Sequence, residues 1–108
     1  MARSPWAVTL RVRALARVGR VRFTNKALLE LEATGLSIDD GDAHDVLASL
    51  TPNDAAERIR SSVSGESLYV FRPMVAGVPL YIKLALRQTC VVISFHPEED
   101  QDEEEDPA

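Results

Sequence analysis

Cysteine is nearly absent from this 108-residue chain: Cys90 stands alone. No intramolecular disulfide can form, which excludes the small secreted scaffolds that depend on such staples. No apolar run approaches the roughly 20 residues that a bilayer-spanning helix needs, so no membrane partner is expected. The start, Met-Ala-Arg-Ser-Pro-Trp, leads into no long apolar region, and with the lone thiol this points to a reducing cytoplasm. There is no Gly-x-x-x-x-Gly-Lys phosphate loop. The two histidines, His44 and His96, stand at no zinc spacing with Cys90. Asp39, Asp40, Asp42 and Asp45 fit no calcium loop and are better placed to complement the start of a helix. No metal and no cofactor is expected.

Charge of one sign is missing from each end. Residues 1–26 hold seven bases and no acid, and residues 97–108 hold eight acids and no base. The net charge of −5 therefore hides a body of about +3 once the tail is set aside. A basic head and an acidic tail suggest a polyanionic partner, or a tail that competes for the same surface. At this length the chain can bury one modest core, so residues 1–96 are expected to form a single domain and 97–108 a disordered tail.

What is present reads as helices first and strands second. Val8, Val12, Leu15 and Val18 recur at helical spacing, and Gly19 suits the end of that helix. Arg20–Phe23 is a brief extended segment. Thr24 caps a second helix through Ala33, with Ala27, Leu28 and Leu31 inward. Ser37 and Asp40 form a capping box for a third helix to about Leu50, with Val46, Leu47 and Leu50 inward. Thr51-Pro-Asn-Asp predicts one further helical turn. The period then changes from helical to two. Ile59, Ser61 and Val63 alternate with Arg58, Arg60 and Ser62 as an edge strand. A strand over 67–75 follows, then a turn at Ala76-Gly77 and a strand from Pro79 through Leu86 with Tyr81, Lys83 and Arg87 on its wet face. Gln88-Thr89 turns into Cys90–Phe95, which His96 and Pro97 terminate. This is the α+β pattern: N-terminal helices packed on a C-terminal antiparallel sheet. Trp6 either anchors the N-terminus or meets a partner, and Cys90 reads as a core thiol.

The chemistry lies on the polar side of that sheet. Cleaving RNA without metal needs a base for the 2′-hydroxyl, cations for the phosphate and an acid for the leaving oxygen. Tyr81 and His96 are candidate catalytic groups, and histidine titrates near neutrality. Arg72, Lys83, Arg60 and Arg87 are candidate phosphate and RNA contacts. The bland reading is equally simple, since exposed sheet faces ordinarily carry lysine, arginine and tyrosine.

Across residues 10–96 the chain resembles the MqsR-type toxins of bacterial type II toxin–antitoxin systems. The resemblance rests on Ala-Arg-Val-Gly-Arg-Val-Arg (16–22), Ala-Leu-Leu (27–29) with Gly35-Leu36, Leu50 before the capped turn, Phe-Arg-Pro (71–73), Leu-Tyr-Ile-Lys (80–83) and Val-Val-Ile-Ser-Phe (91–95). It is the order and spacing of these pieces that carries it. The resemblance implies a RelE-like fold and metal-independent cleavage of messenger RNA at short contexts such as GCU. It also implies inhibition by a cognate antitoxin encoded nearby. The family's tyrosine falls on Tyr81 and its arginine before proline on Arg72. Its lysine after Ser-Phe falls on His96, its glutamine on Leu68, and its lysine before the sheet on Glu57, or on Arg58 after a one-residue slip, which would make Arg58 a catalytic group beside Tyr81 and His96. An alternative is a non-catalytic relative that binds RNA or a protein through the same face. A third expectation is that the tail folds back on Arg58, Arg72 and Lys83 in place of RNA phosphate.

Overall fold

The structure is a computed structural model that describes residues 4–34 and 39–98. Three helices pack on one face of a mixed six-stranded sheet, so the α+β expectation holds. Helix α1 spans Pro5–Arg17, starting three residues earlier than the apolar spacing indicates. Ser4 caps it by accepting the Ala7 N–H, and Pro5 takes the first helical position, where its missing N–H is harmless. Gly19, at φ 77°, closes it. The Arg20 N–H reaches the Leu15 carbonyl and the Gly19 N–H that of Ala16, a Schellman ending.

Strand β1 (Val21–Phe23) leads into α2 (Asn25–Ala33), capped by Thr24. The third helix, α3 (Asp40–Ala48), is capped by Asp39 with Asp42 rather than by Ser37, which lies outside the described residues. The Asp42 N–H donates to Asp39 at 2.8 Å and holds that carboxyl below its ordinary value. Two of these aspartates therefore cap a helix. The turn predicted at Thr51 is a 3₁₀ helix, Pro52–Asp54.

The remaining strands are β2 (Ala55–Arg60), β3 (Ser67–Phe71), β4 (Met74–Val75), β5 (Val78–Leu86) and β6 (Cys90–Pro97). The order is β1-β6-β5-β3-β2, with β4 pairing β5. Three expectations are corrected here. The sheet is antiparallel except that β1 runs parallel to β6, a pairing that the long connection through α2 and α3 permits. The edge strand ends at Arg60, and Ser61 through Gly65 form a turn closed by the Gly65 N–H on the Ser61 carbonyl. The 67–75 strand breaks after Phe71, because Pro73 has no N–H for the ladder.

The core lies between sheet and helices. Val8, Val12, Leu31, Leu47, Phe71, Ile82, Leu84, Val92 and Phe95 are all buried in it. Trp6 is 61% exposed, so it does not anchor the N-terminus to this core. Cys90 sits in the core, and burial pushes its thiol up to about 12, as an unreactive packing residue requires. Among the described residues no helix is long and apolar enough to cross a membrane.

Candidate functional site on the helix-free sheet face

Two bulges decide which side chains share the face turned away from the helices. In β6, Ser94 pairs with Lys83 and Val92 with Leu84, so Ile93 is the extra residue. A bulge shifts the alternation by one. Cys90, Val92 and Phe95 all join the main core, whereas Ile93, Ser94 and His96 fall on the other face. In β2 the extra residue is Ala56. Glu57 then pairs with Val70, in the row that continues to Lys83 and Ser94. Arg58 pairs with Tyr69, which packs on the main core.

The helix-free face therefore carries three rows. One is apolar: Ile59, Leu68, Ala85 and Val91, joined by Ile93. The middle row is Glu57, Val70, Lys83 and Ser94. The third is Tyr81 and His96 with Arg72. The Tyr81 and His96 rings are directly cross-strand and stacked, with centroids 5.1 Å apart and planes 15° from parallel. The Arg72 guanidinium carbon lies 5.6 Å from the Tyr81 centroid, within cation–π range. Arg72 also faces Glu98, Nε to Oε2, at 3.6 Å. His96 Nδ1 is 2.8 Å from the Pro97 carbonyl oxygen. A carbonyl can only accept, so Nδ1 carries the proton and the lone pair of the neutral ring is on Nε2.

Helix α2 flanks β6 beyond the end of β1. The Glu30 carboxylate accepts the Phe95 N–H at 2.8 Å and an ion pair from Lys26 at 2.9 Å. Lys26 Nζ donates in turn to Ser94 Oγ at 2.8 Å. Lys26 and Lys83 are the only lysines in the chain, and both meet at Ser94, one by hydrogen bond and one by strand register.

Of the seven predicted site residues, Arg72, Tyr81, Lys83 and His96 come together. The other three do not. The second bulge puts Arg58 on the helix face, where it lines a cavity of about 110 Å³ with Pro5 and Val8. Arg60 donates to the Gly65 carbonyl at 2.6 Å. Arg87 holds Glu66 through two bonds, at 2.8 and 2.9 Å, and keeps that carboxyl below its ordinary value. Arg87 stands six residues along the sheet from Tyr81, about 20 Å at a strand's rise. The face is also drier than alternation suggests, since Lys83 is 6% and His96 4% exposed. Leu68 is a packing residue of the apolar row.

Lys26, Glu30 and Glu57 belong to this neighbourhood, and of these Lys26 and Glu30 carried no separate signal. The i,i+4 spacing of Lys26 and Glu30 marks a helix pair, but not that both reach β6. The fold defines an α+β protein with one sheet face covered by helices and a compact cationic–aromatic cluster on the other. No family model matches the chain, and no curated protein matches it.

Proposed function

We propose that this chain is a metal-independent endoribonuclease acting on messenger RNA, the toxin member of a type II toxin–antitoxin pair with an MqsR-like, RelE-like fold. The observation that carries the reading is the Arg72–Tyr81–His96 stack beside Lys83. In the proposed reaction the ribose 2′-oxygen forms a bond to the adjacent phosphorus as the bond to the 5′-oxygen breaks. His96 takes the 2′-hydroxyl proton and Tyr81 gives one to the leaving oxygen. Arg72 and Lys83 stabilise the extra negative charge, which a positioned cation does best where water is excluded. Arg58, on the opposite face, takes no part. The outer edge of β2 offers a backbone on which an antitoxin strand could pair.

The burial of His96 and Lys83 favours a second reading, in which the face binds RNA or a protein partner without cleaving it. One experiment separates the two. The purified chain is incubated with a long messenger RNA in EDTA beside His96→Ala, and new 5′ ends are mapped. The expected result is cleavage at a recurring short motif, reduced roughly 10²–10⁴-fold in the variant. Intact RNA in a mobility shift that weakens with salt would establish binding alone. Full cleavage by His96→Ala would remove His96 from the mechanism.

A further inference from the structure

The two edges of the helix-free face differ in charge. On β1, Val21 and Phe23 pack on the main core, so Arg22 between them faces the other way. Its register partner is Val91, and Arg22 therefore closes the apolar row at the β1 edge. Arg20 stands two residues earlier, and its carbonyl accepts the Cys90 N–H, so the same alternation sets it beside Arg22. Both arginines are exposed, and among the described residues neither side chain has a hydrogen-bond or ion-pair partner. The opposite edge presents Glu57 and Ile59. Arg87 is held by Glu66, and Arg72 is met by Glu98. The tail beyond Glu98, expected to compete with RNA, lies outside the described residues. From Val91 the same side of β6 runs through Ile93 and Ser94 to His96. Val91 pairs with Ala85 and His96 with Tyr81, so Arg22 and the stack are about four residues of β5, or roughly 13 Å, apart along the strands.

We propose that the β1 edge is a second RNA contact, in which Arg20 and Arg22 hold phosphates of the single strand flanking the scissile bond and half-buried Val91 floors a base between them and the Arg72–Tyr81–His96 stack. A guanidinium fork matches a phosphate's paired oxygens. An apolar floor beside bound phosphates accepts any base, as single-strand grooves require. Bases also keep an edge strand from pairing with another chain, but that role gives no reason for a phosphate affinity or a salt signature. This track rests on the RNA reading of the face and adds a direction to it. The strand crosses from the β1 edge to the stack, away from the β2 edge, where Glu57 repels phosphate.

The test uses the full chain and a fluorescein-labelled single-stranded RNA with 2′-O-methyl groups throughout, which lacks the hydroxyl that cleavage needs. Affinity is read by fluorescence anisotropy across a salt series. The double variant Arg20→Ala, Arg22→Ala should bind about tenfold more weakly at low salt. Its plot of log affinity against log salt should be shallower by about 1.4, the loss of two phosphate contacts to a single strand. A second double variant, Arg11→Ala with Arg58→Ala, removes the same charge from the helix side and should bind within about twofold of the natural chain. All four side chains are exposed, so folding is not at stake. Unchanged affinity and slope in the Arg20, Arg22 variant would overturn the track and leave the RNA reading standing. Equal losses in both variants would overturn it too, since net charge alone would then account for binding. No binding by the natural chain would overturn the RNA reading itself, and the track with it.

Discussion

The two faces of β6 were built under opposite rules from neighbouring residues. Phe95 points into the core between sheet and helices, and His96 stacks on Tyr81 on the other side. The helix face is apolar and its packing is fixed by shape. The helix-free face mixes an apolar row with a row of Lys83 and Ser94 and a stack of aromatic and cationic groups. Burial alone does not distinguish them, because His96 and Lys83 are nearly as enclosed as the core. What distinguishes them is the chemistry of what is enclosed. A buried lysine and histidine add little stability compared with apolar groups of the same size.

The sharpest way to break this comparison is to truncate the neighbours in turn. Phe95→Ala should cost about 3–5 kcal/mol in urea unfolding, a large part of a small domain's stability. His96→Ala should cost about 1–2 kcal/mol, the loss of one ring stack and its packing. Equal costs would mean that the helix-free face is simply a second core. Between those two in size is Glu30→Ala, which leaves the Phe95 N–H without its acceptor and Lys26 without its carboxylate. A loss of about 1–3 kcal/mol and faster hydrogen exchange at Phe95 are expected. Glu30→Gln keeps an acceptor oxygen and should recover most of it. The smallest change is away from both faces. Ala76 has φ 52° in the two-residue turn between β4 and β5, beside Gly77 at 79°. Both angles suit a type I′ turn, which favours Asn-Gly. Ala76→Asn should stabilise by about 0.5–1 kcal/mol and raise Tm by a few degrees.

Much of the fold was legible because it depends on local chemistry. Thr24, Gly19 and the Thr51–Asp54 turn act within one helical turn of themselves, and the sequence displays them directly, whereas the Ser4–Pro5 start of the first helix lies outside its apolar stripe. The alternation of Leu80, Ile82 and Leu84 with Tyr81 and Lys83 showed both faces of β5. The third helix was placed, but its cap was not. Asp39 and Ser37 are both good capping residues two positions apart, and local pattern does not choose between them. The parallel pairing of β1 was not visible either, since three residues carry almost no period. At the site, Tyr81, Lys83, Arg72 and His96 were found by residue type and strand position. Arg87 was drawn in by strand alternation, Arg58 by the family's lysine position and Arg60 by charge, none of which fixes distance.

The sequence by itself determined the helices, the strands, the uneven charge and the kinds of group able to handle a phosphate. These follow from periodicity, capping and composition, which are properties of neighbours in the chain. Only the tertiary structure decided which of those groups meet. The bulge at Ile93 lets Val92 and Phe95 both face the core and delivers Ser94 and His96 to the other side. The bulge at Ala56 sends Arg58 to the helices and leaves Glu57 on the site's face. Each is a one-residue offset between paired strands, set by what the partner strand and the core accept, and a period-two pattern in one strand contains no record of it.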